Sequence, residues 1–196
     1  MQRRHVDALV DRFVRLINRT VRQRIREEDI PVQLRQGGAR FGLYHSWKIQ
    51  RFDATHWIKT LEKKLPARLP PSYRSLVSRY VYPAFEVPPL VLLGNTGHTL
   101  YSEMSYVIFR ERWLSDSMIG SGFVQFARPN SGDHDPVCFD FNRPDGEGEY
   151  PVVQLSYQQA LVLKKPRILR EIAPSFAVFL ERYILRESLL STKVGF

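Results

Sequence analysis

The sequence predicts an α+β domain, a mixed or antiparallel sheet flanked by helices, preceded by a helical N-terminal extension. Three observations predict it. Helical spacing of apolar residues marks both ends of the chain, and strand-like segments are concentrated between them. The helices and strands come in runs rather than in βαβ alternation.

In residues 3–28, Val6, Leu9, Val10, Phe13, Ile17, Val21 and Ile25 recur every three or four positions, forming one stripe of a long helix. Residues 30–53 break that pattern with Pro31, Gly37, Gly38 and Gly42, and read as a linker with aromatic anchors at Phe41, Tyr44, Trp47 and Phe52. The expected division is therefore a helical extension and linker at 1–54 and a main domain at 55–196.

Thr55 is placed to cap a second helix that turns Trp57, Ile58, Leu61 and Leu65 to one side. Pro71 can open a third, with Tyr73, Leu76, Val77 and Tyr80 apolar. Phe85–Val87 and Leu90–Leu93 read as strands around the Pro88–Pro89 pair, which suits an edge or a bulge. Leu100–Trp113 has helical spacing.

Gly122–Tyr157 then reads as a three-stranded meander: Phe123–Ala127, Val137–Phe141 and Val152–Leu155. Its turns, SGDHDP and RPDGEGE, are polar, and the meander is expected at an exposed edge of the sheet. A helix at Gln158–Leu163 and a last helix capped by Ser175 close the chain.

Composition narrows the function. A chain of 196 residues buries roughly 70% of its unfolded surface on folding, so it needs no disulfide or metal to stay folded. Cys138 is the only cysteine, which excludes an internal disulfide and fits a reducing cytoplasm. No stretch has signal-peptide or membrane-span character. The formal charge is +9, unevenly spread: residues 129–149 hold six acids against Arg143 alone.

Asp133, His134, Asp135 and Asp140, with His98, are the candidate metal or acid–base cluster. Neighbours on an extended turn point in different directions, so a solvated turn is the simpler reading, with Asp133 closing it on nearby backbone N–H groups. Cys138 sits mid-strand among apolar residues, where a thiol acts as a small hydrophobe. The serines lie in no nucleophile elbow, and LLGNTGH lacks the lysine and spacing of a phosphate loop. No catalytic residue, metal or cofactor is assigned.

Arg4, Arg12, Arg15, Arg19, Arg22 and Arg26 lie mostly off the apolar stripe of the first helix. They fit either a phosphate-contacting face for nucleic acid through residues 3–28 or the solvated side of a docked helix. The interleaved Asp7, Asp11, Glu27 and Glu28 favour the second. Asp133, Asp135, Asp145, Glu147 and Glu149 are the candidate partner-binding carboxylates, able to steer a basic protein by charge. The competing role is protection of a sheet edge.

Three pieces of the chain, in order, carry a family resemblance. They are the helix–proline–helix with Leu69, Pro70 and Tyr73, the strand–turn–strand with Gly132 and Asp133, and the closing strand and helix with Ser175, Phe176, Phe179 and Leu180. Over residues 55–187 the chain resembles the SUKH superfamily of Smi/Knr-type domains, which includes bacterial toxin-immunity proteins. That resemblance implies a mixed sheet packed by helices and a binding role with no catalytic apparatus. In its bacterial branch the partner is a cognate polymorphic toxin, neutralised by being covered. Residues 1–54 have no counterpart in the family pattern, and the strong positive charge is unusual for an inhibitor of basic nucleases.

Overall fold

The structure, a computed structural model, describes residues 3–20, 24–26, 34–41, 44–96, 102–109 and 112–193. His98, Glu27, Glu28, Pro31, Gly42 and Arg22 lie outside them.

The first apolar stripe forms α1 (Arg3–Thr20), which ends eight residues before the limit at 28 that its spacing predicts. Residues Arg24–Arg26 are instead β1, which pairs antiparallel with β3 (Tyr44–Trp47), itself paired with β2 (Arg35–Phe41). The expected linker thus supplies β2 and β3 of a small three-stranded sheet, and the expected helix supplies β1. Ile25 continues the helical spacing of Val21, so periodicity could not see that long-range pairing ends the helix. Asn18 ties the end of α1 down: its side chain donates to the Ile49 carbonyl at 3.0 Å and accepts the Ile49 N–H at 2.9 Å.

Next come β4 (Gln50–Arg51), α2 (Thr55–Glu62), α3 (Pro71–Arg79) and β5 (Tyr80–Val81), with β4 and β5 paired. Thr55 is the first residue of α2 rather than its cap; its N–H is accepted by Asp53 at 3.0 Å. Pro71 opens α3, where its missing N–H costs no helical bond.

The main sheet has six strands in the order β11–β10–β9–β8–β7–β6 and is antiparallel throughout. It contains β6 (Phe85–Val87), β7 (Leu90–Leu92), β8 (Phe123–Pro129), β9 (Val137–Asp140), β10 (Val152–Leu155) and β11 (Ile168–Ala173). Between β7 and β8 lie α4 (Ser102–Phe109) and α5 (Arg112–Gly120); α6 (Tyr157–Val162) follows β10, and α7 (Phe176–Lys193) closes the described chain. The single helix expected at Leu100–Trp113 is therefore α4 plus the start of a further helix.

The meander β8–β9–β10 is central, not at an exposed edge. Every residue of β9 and β10 is buried, because helices cover both faces. On one face Tyr73 of α3 packs against Phe126, Phe139 and Phe176, with the first two rings stacked at 4.0 Å. Val10, Phe13, Val14 and Ile17 of α1 belong to the same core, and Phe13 meets Tyr183 of α7 edge-on. On the other face Cys138, Val153 and Leu155 pack with Met118 of α5 and Ala160 of α6. The edges are β6, as the proline pair suggested, and β11, which sequence periodicity did not register.

Candidate partner-binding surface

Antiparallel strands place successive turns at opposite ends of a sheet. The carboxylates that crowd together in the sequence therefore separate into two groups, about 14 Å apart along the four residues of β9.

At one end, between β8 and β9, Gly132 adopts φ +87° and Asp133 is exposed. Asp133 accepts a hydrogen bond from the Ser131 hydroxyl at 2.7 Å, rather than from the backbone N–H groups expected of it. Asp135 is half-buried and reaches the start of α6, accepting the Tyr157 N–H at 2.8 Å. The exposed His134 ring lies 6.1 Å from that of Tyr157.

At the other end, between β9 and β10, Asp145 accepts the N–H groups of Glu147 and Glu149 at 2.8 and 2.9 Å. Gly148, at φ +80°, completes this tight fold. Asp145 and Glu147 are exposed, but Glu149 is only 5% exposed. Its carboxylate accepts the Ser72 N–H at 2.7 Å and the Ser72 hydroxyl at 2.8 Å, at the first turn of α3. The backbone N–H of Ala177, in the first turn of α7, donates to it as well. One carboxylate thus binds two helix N-termini, where unpaired N–H groups and the helix dipole favour negative charge. Burial pushes its pKa up, and the Ser72 and Ala177 donors offset part of that rise. Glu149 is a latch inside the fold, which corrects its expected place on the partner surface.

Asp140 is also internal: it pairs with Arg143 at 2.6 Å and accepts the Asn142 N–H at 3.1 Å. Among the described residues no group of three or more His, Cys, Asp or Glu is placed to hold a metal. The Cys138 thiol is fully buried, and burial, then the nearby Asp140 charge, drives its pKa up. It has the packing of a hydrophobe and not the thiolate character a nucleophile needs.

The acids of α1 are engaged by α3 and the residue that ends it. Asp11 pairs with Arg79 at 2.6 Å and accepts the Tyr80 hydroxyl at 2.7 Å; Asp7 accepts the Ser75 hydroxyl at 2.6 Å. Burial and the Asp11 contact both push the Tyr80 pKa up. This polar seam joins α1 to α3 along one wall of a cleft of about 480 Å³. Arg4, Arg12, Arg15 and Arg19 are left exposed on the outside, spread over roughly 22 Å of helix. Sequence spacing missed this division, although Asp7 and Asp11 flank the buried stripe and are four residues apart.

β11 was the other omission. Ile168–Glu171 are exposed, and Leu169 is 50% exposed. The β-branched Ile168 and Ile172 after the Lys164–Pro166 turn were the available signal. No helix among the described residues is long and apolar enough to cross a membrane.

No curated protein matches this chain. A model of the family described as SMI1 / KNR4 (SUKH-1) matches residues 55–182, which run from the first residue of α2 into α7 and take in the whole six-stranded sheet. The chain belongs to the SMI1 / KNR4 family (SUKH-1).

Proposed function

We propose that this chain is a non-enzymatic, cytoplasmic protein-binding module that neutralises a cognate bacterial toxin by covering its working surface. Membership of the SUKH-1 family over residues 55–182 is the observation that carries this reading. The exposed carboxylates support it: Asp133 with half-buried Asp135 at one end of the sheet, and Asp145 with Glu147 at the other. They give a basic partner two separate points of charge complementarity, which act mainly on association rate and specificity. No cofactor enters this mechanism.

The test is a tagged pull-down from the native host after nuclease treatment and a moderate salt wash. The expected result is one stoichiometric protein whose isolated activity this chain inhibits. Reversing charge at Asp133 and Asp135, or separately at Asp145 and Glu147, should slow its association at the end that makes contact. An unchanged on-rate in both variants removes the acidic turns from the interface.

A second reading is favoured by one observation. With Asp7 and Asp11 engaged by Ser75, Arg79 and Tyr80, the exposed Arg4, Arg12, Arg15 and Arg19 of α1 are left to form a basic face suited to phosphate. Recovery of partners that vanishes with nuclease, or nucleic-acid affinity that falls steeply with salt, moves the function to that face.

A further inference from the structure

Four of the exposed large apolar side chains fall within eight residues of chain: Val162 (66% exposed), Leu163 (56%), Ile168 (38%) and Leu169 (50%). They flank the turn that leads from α6 into the edge strand β11. Backbone bonds close that turn, Ser156 N–H to the Arg167 carbonyl at 2.9 Å and Lys165 N–H to the Gln159 carbonyl at 3.4 Å. The pairing of β11 with β10 skips a residue at Leu169, so a bulge presents that side chain to solvent.

The exposed charges of the segment are mostly of one sign, and the acid beside it, Asp135, is taken up by the Tyr157 N–H and Gln154. Lys164, Lys165, Arg167 and Arg170 are all exposed, and the acid of this segment, Glu171, is engaged by Arg143 at 3.1 Å. Bulges and lysines protect a sheet edge from strand addition. Protection accounts for those features but not for four exposed apolar groups, which cost solvation and mark interaction sites when they cluster. An apolar centre with a charged rim is the anatomy of a protein interface.

We infer that the α6–β11 corner docks an acidic segment of a partner protein that carries apolar anchor residues. The apolar anchors would seat on Leu163, Ile168 and Leu169, with carboxylates meeting the surrounding lysines and arginines. A second copy of this chain is disfavoured, because a two-fold contact at this corner turns the same excess of cations, Lys164, Lys165, Arg167 and Arg170, against itself. The inference is separate from the acidic turns, which suit a partner of opposite charge, and it can fail while they succeed.

The test uses the full chain and two short synthetic peptides, one alternating Glu and Leu and the other alternating Lys and Leu. Backbone amide resonances are followed by NMR during titration to millimolar peptide. The expected result is movement confined to residues 162–173 with the acidic peptide and none with the basic one. Lys164→Glu with Lys165→Glu should weaken that binding about tenfold, and Leu163→Ser with Leu169→Ser should abolish it at an unchanged melting temperature. Because all four positions are solvent-exposed, loss of binding in a folded variant reports the contact itself. Absence of movement, an equal response to both peptides, or movement elsewhere overturns the inference. So does concentration-dependent dimerisation through β11 without peptide, which would make a second copy the occupant.

Discussion

The turn from Asn130 to Pro136 and the turn from Phe141 to Pro151 are attached to the two ends of β9, and both are rich in acids. In the first, Asp133 binds only its neighbour Ser131 among the contacts seen, and Asp135 reaches no farther than α6 and the adjacent Gln154. In the second, Asp145 organises its own loop so that Glu149 reaches the core and holds Ser72, which lies 77 residues earlier in the chain. Similar composition thus yields a displayed turn at one end and a structural latch at the other. Carboxylate content is a poor guide to partner contact where a turn faces helix N-termini, because those termini compete for the charge.

Breaking the latch should have the largest effect. Glu149→Ala leaves the buried Ser72 donors without an acceptor and is expected to cost about 2 kcal/mol of unfolding free energy in urea titration. Glu149→Gln keeps one acceptor oxygen and should cost less. A loss below a few tenths of a kcal/mol for the alanine variant would return Glu149 to the surface carboxylates.

At the displayed turn, Asp135→Ala removes the acceptor for the Tyr157 N–H at the start of α6. A cap of this kind is worth about 1 kcal/mol. Asn at this position should retain most of it.

The pH dependence of stability sharpens the same contrast. Glu149 has a folded pKa raised above the ordinary glutamate range, mainly by burial. Folding therefore binds its proton more tightly, and the associated stability is complete below the ordinary value. It is lost as pH rises through the raised value. Denaturation midpoints of the native chain should carry this falling component above the ordinary glutamate range, and Glu149→Gln should remove it. An unaltered pH profile in the glutamine variant contradicts the assignment.

The smallest effects belong to the exposed carboxylates. Asp133→Ala and Glu147→Ala should each stay within about 0.5 kcal/mol of the native chain in stability. Any effect they have on partner association then measures the surface and not the fold.

Much of this fold was legible where the signal is local. The stripe of α1, the proline that opens α3, the Ser175 cap of α7 and the strands β6 to β10 all follow from spacing and turn chemistry within a few residues. The strands β1 to β3 were not legible, because the Gly37–Gly38 pair signals a break although β2 pairs with the neighbouring β3, and only pairing with the distant β3 makes β1 a strand. The candidate surface was partly legible: Asp133, Asp135, Asp145 and Glu147 do reach the exterior in whole or in part, whereas Glu149 does not. Its nearest sequence neighbours give no sign of burial, since Gly148 and Tyr150 suit a surface turn equally well.

The sequence by itself determined α1, α2, α3 and α7, the strands β6 to β10 in their order, the family and the excess of positive charge. These depend on residue type and short-range spacing, which survive without knowledge of neighbours. The tertiary structure alone decided that the meander is central and its two turns lie apart. It also decided that Asp7 and Asp11 bind α3 and its end while the arginines face out, and that Leu169 stands on an open edge. Each of those outcomes is set by which distant elements compete to cover a surface or satisfy a charge, and that competition is fixed only when the chain packs.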